Sequence, residues 1–351
     1  MDCIDQPTDI RTGEELDQER LETWLKDTLP GLEGPLTLQQ FPNGHSNLTY
    51  LIRVGKQEMV LRRPPFGTKP KNAHDMTREY NILKALKPVF SYVPEPLAHC
   101  DVDEVMGCPF YVMERLQGII LRREIPPQLN LSPDQIRRLF EKHVEIQHKL
   151  HALDYKKIGM GEMGKPTGYV QRQVSGWSKR YRNAKTPDAP EYEQIMAWLD
   201  AHMPKDSSDS GIIHNDFKFD NLVLDPKDPL NIKGVLDWEM TTIGDPLMDL
   251  GCTLGYWVEK DDPPEYQVMR TIPTHVEGAL TRKEMVAHYE KISGRTIENM
   301  EFYHCFGLFR LAVIAQQIYY RFYHGQTRDP RFKNLIHAIK ILEKAAEKAI
   351  N

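Results

Sequence analysis

The chain has 351 residues, 40% of them hydrophobic, with 45 Lys or Arg against 50 Asp or Glu and a formal net charge of −5. That length supports one large domain or two lobes, and the acidic balance argues against a globally basic nucleic-acid binder. No run approaches the ~18 apolar residues of a membrane-spanning helix. The acid-rich start (Asp2, Asp5, Asp9, Glu14, Glu15, Asp17) lacks the basic and apolar regions of a secretory signal. The five cysteines, Cys3, Cys100, Cys108, Cys252 and Cys305, form no CxxC pair. Buried thiols and a cytoplasmic location are therefore expected.

Residues 1–18 read as a lead-in, and Leu21, Trp24, Leu25 and Leu29 then recur at helical spacing. Leu36–Gln40, Leu48–Val54 and residues 58–62 read as antiparallel strands, parted by Pro42-Asn43-Gly44 and Gly55. A helix is expected over 75–87, with Tyr80, Leu83 and Leu86 on one face. Pro94 and Pro96 lead into a strand region ending at 110–116. Gly118 marks a hinge, with a strand-rich part before it and a mostly helical part after. Ser132-Pro133-Asp134-Gln135 is a helix start, with a Ser cap, Pro in the first turn and a Gln that closes a capping box. Its helix should run to Ala152. Later helices are expected near 175–185, 190–203, 282–292, 299–324 and 333–350. The predicted division is 1–35 as lead-in, 36–117 as a nucleotide-binding N-lobe, and 118–351 as a catalytic C-lobe.

The chemistry concentrates in His214-Asn215-Asp216-Phe217-Lys218-Phe219-Asp220-Asn221, followed sixteen residues after Asn221 by Asp237 in Val235-Leu236-Asp237-Trp238-Glu239. Apolar runs precede both pieces, so each should end a short strand. Phosphoryl transfer from ATP needs a base, metal ligands and little else from the protein. Asp216 is placed to accept the proton of an attacking hydroxyl. Asn221 and Asp237 offer an amide oxygen and a carboxylate to Mg²⁺, which keeps waters and phosphate oxygens as its other ligands. Lys218 is expected to touch the transferring phosphate, and His214 to brace the loop. Asp245 should cap the next helix and Asp249 should lock the loop through its backbone amides. Glu239 reads equally as a water-mediated metal contact or a salt-bridge partner.

In the N-lobe, the turn carrying Ser46 and Asn47 is expected to lie over phosphates. Arg62 points a cation toward the nucleotide, oriented by Glu79 on the following helix. Glu114 and Leu116 end the lobe where backbone groups meet an adenine edge. Two features read as decoys. Gly159–Lys165 matches GxGxxG but follows a helix, and Pro166 stands where a P-loop needs Ser or Thr. His143, His148 and His151 read as core or surface histidines, because no third ligand accompanies them.

These residues resemble the aminoglycoside phosphotransferase and choline kinase family, over roughly residues 36–325. The segments that carry the likeness are His214/Asp216/Asn221, Asp237-Trp238-Glu239, Gly244-Asp245-Pro246, Ser46-Asn47-Leu48-Thr49-Tyr50 and Val60-Leu61-Arg62-Arg63-Pro64-Pro65. The likeness extends to stand-alone bacterial phosphotransferases and to the kinase-like domains joined to acyl-CoA dehydrogenases. It implies an α+β, two-lobed protein-kinase-like fold, with a small antiparallel-sheet N-lobe and a larger, mainly helical C-lobe. It also implies MgATP as donor and a small-molecule hydroxyl as acceptor. Arg62 stands where the family has an ATP-gripping lysine, and Asn215 where glycine is commoner. At this length the kinase is expected without a dehydrogenase domain.

Residues 169–185 hold Arg172, Lys179, Arg180, Arg182 and Lys185 and no acid. They read either as a basic face for an anionic acceptor, a hydroxyacyl-CoA among them, or as a solvated helix face. Trp177, Tyr181, Tyr256 and Trp257 read either as acceptor lining or as core. The alternatives are an aminoglycoside- or choline-type kinase and a nucleotide-binding regulatory pseudokinase, for which Arg62 is the sole support.

Overall fold

The computed structural model describes residues 3–42, 47–66, 74–205, 209–327 and 329–350. In chain order it begins α1 (Gln18–Thr28), β1 (Leu36–Gln40), β2 (Leu48–Val54), β3 (Gln57–Arg63), α2 (Met76–Leu86), β4 (Pro96–Cys100), α3 (Asp103–Met106) and β5 (Phe110–Glu114). There follow α4 (Pro133–His151), α5 (Tyr169–Ala184), α6 (Glu193–Ala201), β6 (Gly211–Ile213), β7 (Leu222–Leu224), β8 (Ile232–Val235) and β9 (Thr242–Gly244). The remainder is helical: α7 (Pro246–Gly255), α8 (Pro264–Met269), α9 (Arg282–Ser293), α10 (Met300–Tyr323) and α11 (Leu335–Ile350).

The chain forms two compact units. The first comprises Met1–Ile120 and Asn221–Glu239. Its antiparallel sheet runs β1-β2-β3-β5-β4. Gly55 makes the β2–β3 turn at φ +57, where a Cβ would strike the Glu33 carbonyl. Alternation buries Leu48, Tyr50, Ile52 and Val54 of β2, against Leu21 and Leu25 of α1 and Phe110 of β5. Asp75 caps α2 by accepting from Arg78 N–H, and that helix buries Glu79 beside Ile82 and Leu83. The β7–β8 hairpin joins this unit through Val235 N–H to Tyr92 O at 2.7 Å and Ile119 N–H to Leu224 O at 2.9 Å. The lead-in helix and this hairpin thus group with the sheet, cutting the chain differently from 1–35, 36–117 and 118–351.

The second unit, Leu121–Asp220 with Met240–Asn351, holds the other helices and the β6–β9 pair. The expected capping box of Ser132 and Gln135 starts α4. α5 begins at Tyr169, six residues before the expected 175, after Gly168 at φ +68 rather than a polar cap. α7 and α10 cross at glycines. A Cβ on Gly251 would strike the Tyr303 carbonyl, and one on Gly307 would strike the Gly251 carbonyl. The core there includes Phe302, Phe306, Phe309 and Val313 of α10, as their spacing predicts. Gly164, within the GxGxxG match, packs so closely on β9 that a Cβ would sit 2.8 Å from Ile243 N. Packing accounts for that glycine.

Candidate active site

In the second unit, β6 delivers the chain into His214, Asn215 and Asp216. One side chain holds that turn. Asp249, fully buried on α7, accepts the backbone N–H of His214 at 3.1 Å and of Asn215 at 2.6 Å, the lock expected of it. It also meets His151 Nε2 at 2.9 Å and Gln147 Nε2 at 3.3 Å. Burial alone would raise the Asp249 pKa, but the His151 hydrogen bond, the charges of His151 and His214 and the backbone donor hold it low. Asp245 caps α7 by accepting from Leu247 N–H at 2.8 Å.

Asn215 takes φ +64, a left-handed conformation that Asn tolerates better than most residues with a Cβ. This is the physical reason glycine suits the position. Its Nδ2 donates to Met240 O at 3.0 Å. His214 is buried, and its Nδ1 accepts the Asp216 N–H at 3.2 Å. The Asp216 carboxylate accepts the Tyr256 hydroxyl at 2.9 Å and lies 3.3 Å from Lys218 Nζ. Lys218 also sits 3.5 Å from Asp220 and 4.6 Å from the Tyr256 ring centroid. Burial pushes the Asp216 pKa up, but Lys218, Arg310, His214 and the Tyr256 hydrogen bond bring it below the usual carboxylate value. The group is thus an ionised carboxylate at neutral pH.

In the first unit, the hairpin register places two predicted metal ligands at one end. Leu222 pairs with Val235, and Leu236 N–H donates to Asn221 O at 2.8 Å. Asp237 follows immediately at φ +67, ahead of a buried Trp238 whose Nε1 donates to Val235 O. Arg62 reaches this end from β3. Its NH2 is 2.9 Å from Asp237, 3.3 Å from Glu79 and 4.0 Å from Glu239. Burial opposes the Arg62 charge, yet Glu79, Tyr111, Asp237 and Glu239 raise its pKa well above the usual value. Glu79 is pushed up by burial and by Asp237, against the pull of Arg62. Three carboxylates around one guanidinium leave excess negative charge, and the oxygen donors suit a hard divalent cation. Among the described residues no group of three or more His, Cys, Asp or Glu forms a protein-only metal cage, and Mg²⁺ does not require one.

Asn47 Nδ2 donates to Glu239 at 2.6 Å, and its Oδ1 meets His74 Nδ1 at 2.8 Å. Glu239 is therefore a hydrogen-bond acceptor here, and Arg78 also donates to its carbonyl at 3.1 Å. Ser46 lies outside the described residues, as do Asn43, Gly44 and His45. Glu114 is tied elsewhere: its carboxylate accepts from Glu95 N–H at 3.1 Å and lies 3.4 Å from Lys87. The Leu116 side chain packs on Gly234, where a Cβ would strike it.

The basic segment is largely matched. Arg172 donates to the Lys165 and Thr167 carbonyls, Arg182 pairs with Glu193 at 2.6 Å, and Lys185 pairs with Glu191. Tyr181 and Trp257 are core residues, bonded to Pro190 O and Leu280 O. His143 is buried among Phe217, Phe219 and Trp257, with burial lowering its pKa to about 3. His151 is a satisfied core histidine, as expected: its Nε2 meets Asp249 and its Nδ1 meets Tyr289. The sequence does not reveal the hydrogen bond of Tyr256 to Asp216 or the charge of Arg310 acting on it, because separations of 40 and 94 residues leave no local pattern. A separate cavity of about 180 Å³, bordered by Trp257, Tyr266, Arg282, His304, Leu342 and Lys348, includes none of the residues expected to serve as base, nucleotide contacts or metal ligands.

The model of the phosphotransferase enzyme family matches residues 37–272, more than half the chain. The chain belongs to this family. Its kinase-type phosphotransferase fold is shared with a Ralstonia eutropha JMP134 protein described as a candidate aminoglycoside phosphotransferase. The two are 30% identical, with a TM-score of 0.80 over 95% of this chain and 98% of that one. The GDP complex of aminoglycoside 2'-phosphotransferase-IIIa shares the fold at 13% identity, with a TM-score of 0.61 over 95% of this chain and all of that one. Acyl-CoA dehydrogenase family member 10 of Mus musculus is 34% identical over 323 residues, 90% of this phosphotransferase chain and 30% of the mouse protein. The chain spans less than half the length of the curated relatives it matches. No helix among the described residues is long and apolar enough to cross a membrane.

Proposed function

We propose that this phosphotransferase moves the γ-phosphoryl group of MgATP to a hydroxyl of a small molecule. The observation that carries the reading is the state of Asp216: an ionised carboxylate, hydrogen-bonded by Tyr256 and held on a loop that Asp249 fixes. Asp216 takes the proton of the acceptor hydroxyl as its oxygen bonds to the γ-phosphorus. The bond to the bridging oxygen breaks, and ADP leaves. Lys218 and His214 belong to the same loop: Lys218 offsets charge on the transferring group, and His214 fixes the Asp216 backbone. Asn221 and Asp237 are the residues that would hold Mg²⁺, which neutralises phosphate charge when bound. Arg62, oriented by Glu79, is assigned to the nucleotide phosphates, together with Ser46 and Asn47, and Glu114 and Leu116 to the base edge. The GDP bound by a protein of the same fold supports a nucleotide as donor.

The acceptor class is a proposal on narrower ground. The dehydrogenase-joined relatives suggest a hydroxyacyl-CoA, whereas the matched charges of residues 172–193 remove most of the basic face that favoured an anion. The testing experiment measures ADP release from MgATP across a panel of hydroxylated acceptors, with wild type and Asp216→Ala. Acceptor-dependent release that the substitution abolishes supports the reading; equal release by both proteins refutes it. A regulatory pseudokinase is favoured by one observation, the engagement of Arg62 with Asp237 at 2.9 Å. It predicts MgATP binding with no turnover of any acceptor.

A further inference from the structure

The helical unit carries a buried cation that the reading above leaves unused. Arg310 on α10 is 3% exposed. Its NH2 donates to Met240 Sδ at 3.1 Å, and Cys252 is its other hydrogen-bonding partner. Sulfur is a weak acceptor, and a guanidinium presents five N–H donors in a planar fork. Among the described residues, no carboxylate lies within ion-pairing distance of Arg310. The charged or ionisable groups that face it most strongly are Cys252, Tyr256, Asp216 and Tyr169. Burial keeps the Cys252 thiol and the two phenols neutral. Asp216 is the remaining countercharge, and it is shared with Lys218 at 3.3 Å.

A second cation stands nearby. Arg180 on α5 places its guanidinium carbon 4.6 Å from the Trp177 ring centroid, and Arg310 places its own 5.2 Å from the same centroid. Burial, and then repulsion by Arg310, weakens the hold of Arg180 on its proton. Unlike Arg172, Arg182 and Lys185, Arg180 has no carboxylate or carbonyl partner among the described residues. Neither guanidinium has an ion-paired carboxylate among the described residues, and Arg310 repels Arg180, although the groups near Arg310, Asp216 among them, favour its own charge. An anionic oxygen group offsets that repulsion with charge-assisted hydrogen bonds.

We infer that Arg310 and Arg180 form a receptor for an anionic oxygen group on the acceptor, whose hydroxyl then faces Asp216. The inference rests on the phosphotransfer reading and deepens it by naming the charge of the acceptor. The nucleotide is the weaker candidate for this receptor. Arg310 faces Asp216 and the phenol that bonds it, where the phosphotransfer reading puts the acceptor hydroxyl, and that reading gives the nucleotide phosphates Arg62 instead. The anion is either a carboxylate of a hydroxy acid or a phosphate of a larger carrier such as a coenzyme A thioester.

Isothermal titration of the full chain with 3-hydroxybutyrate, 3-hydroxybutyramide and 3-hydroxybutyryl-CoA separates these sources. At least one anionic probe binds about tenfold tighter than the neutral amide, and which one does so names the source. Arg310→Met and Arg180→Met each erase that preference, Arg310→Lys retains part of it, and MgATP affinity stays unchanged in all three. If Arg310→Met fails to fold, Arg180→Met on its exposed helix face decides. The inference is overturned when the amide binds as tightly as both anions, when none of the three binds, or when the substitutions weaken MgATP alone. Failure of the phosphotransfer reading registers separately, as absence of MgATP binding by the wild type.

Discussion

A single nitrogen of Arg62 lies 2.9 Å from Asp237 and, from the same position on β3, 3.3 Å from Glu79. The guanidinium thereby connects a strand, a helix and the hairpin end within one unit. Removing it leaves the almost fully buried Glu79 carboxylate without its cation. Arg62→Met is expected to lose about 3–5 kcal/mol in urea unfolding. Arg62→Lys keeps the charge but not the fork, so its loss should be smaller. Equal unfolding midpoints for wild type and Arg62→Met would show that the ion pair contributes nothing.

Substituting Asp216→Asn removes the proposed proton acceptor while preserving shape. The turnover number should fall by about 10²–10⁴, with MgATP affinity and melting temperature unchanged, as read by coupled ADP release and calorimetry. The folded pKa of Asp216 is lowered, so the base is ionised throughout the neutral range. The acid limb of kcat/KM should therefore lie below pH ~4. A limb near pH 6 to 7 would assign the base elsewhere.

Asp249 is the anchor whose loss should damage the fold as well as turnover. Asp249→Ala leaves two backbone N–H groups and His151 without their acceptor, at a cost of about 3–5 kcal/mol. The folded pKa of Asp249 is depressed. Its contribution to stability is therefore present above the unfolded value of about 3.9 and is lost as pH falls through the lower folded value. Urea unfolding from pH 7 down to 3 checks this: wild type should weaken progressively below about pH 4, and Asp249→Ala should show a flatter slope.

How much of this was legible in the sequence depended on whether the signal was local. β1 and β2 are legible to the residue because alternation and a turn glycine fix both face and ends. α4 announced itself through Ser132 and Gln135. The loop proposed for catalysis stands out because the spacing from His214 to Asn221 is itself local. The expected start of α5 is late because Gly168 begins the helix by backbone conformation, with no capping side chain to read. The Arg62–Glu79 pair is spaced by a strand-to-helix step and was anticipated. The groups that act on Asp216 and Asp249, namely Tyr256 just after α7, the charge of Arg310 on α10 and His151 on α4, are scattered along the sequence. Their approach is a product of packing, which no local pattern encodes.

Chelation should silence the enzyme reversibly. With EDTA, ADP release should stop, and excess Mg²⁺ should restore it. Asn221→Ala and Asp237→Asn should each raise the Mg²⁺ concentration needed for half-maximal release, Asp237→Asn more so because it removes a charge. An unchanged Mg²⁺ requirement in both variants would place the cation on other residues.

The glycines where α7 crosses α10 touch no reacting group, yet they govern reach. α7 leads directly into Tyr256, and Arg310 lies one helical turn beyond Gly307. One methyl group at Gly307, as in Gly307→Ala, would act as a wedge that spreads the two helix axes and draws the guanidinium back from Asp216. The distance between charge and chemistry in this enzyme is therefore set by atoms that are missing.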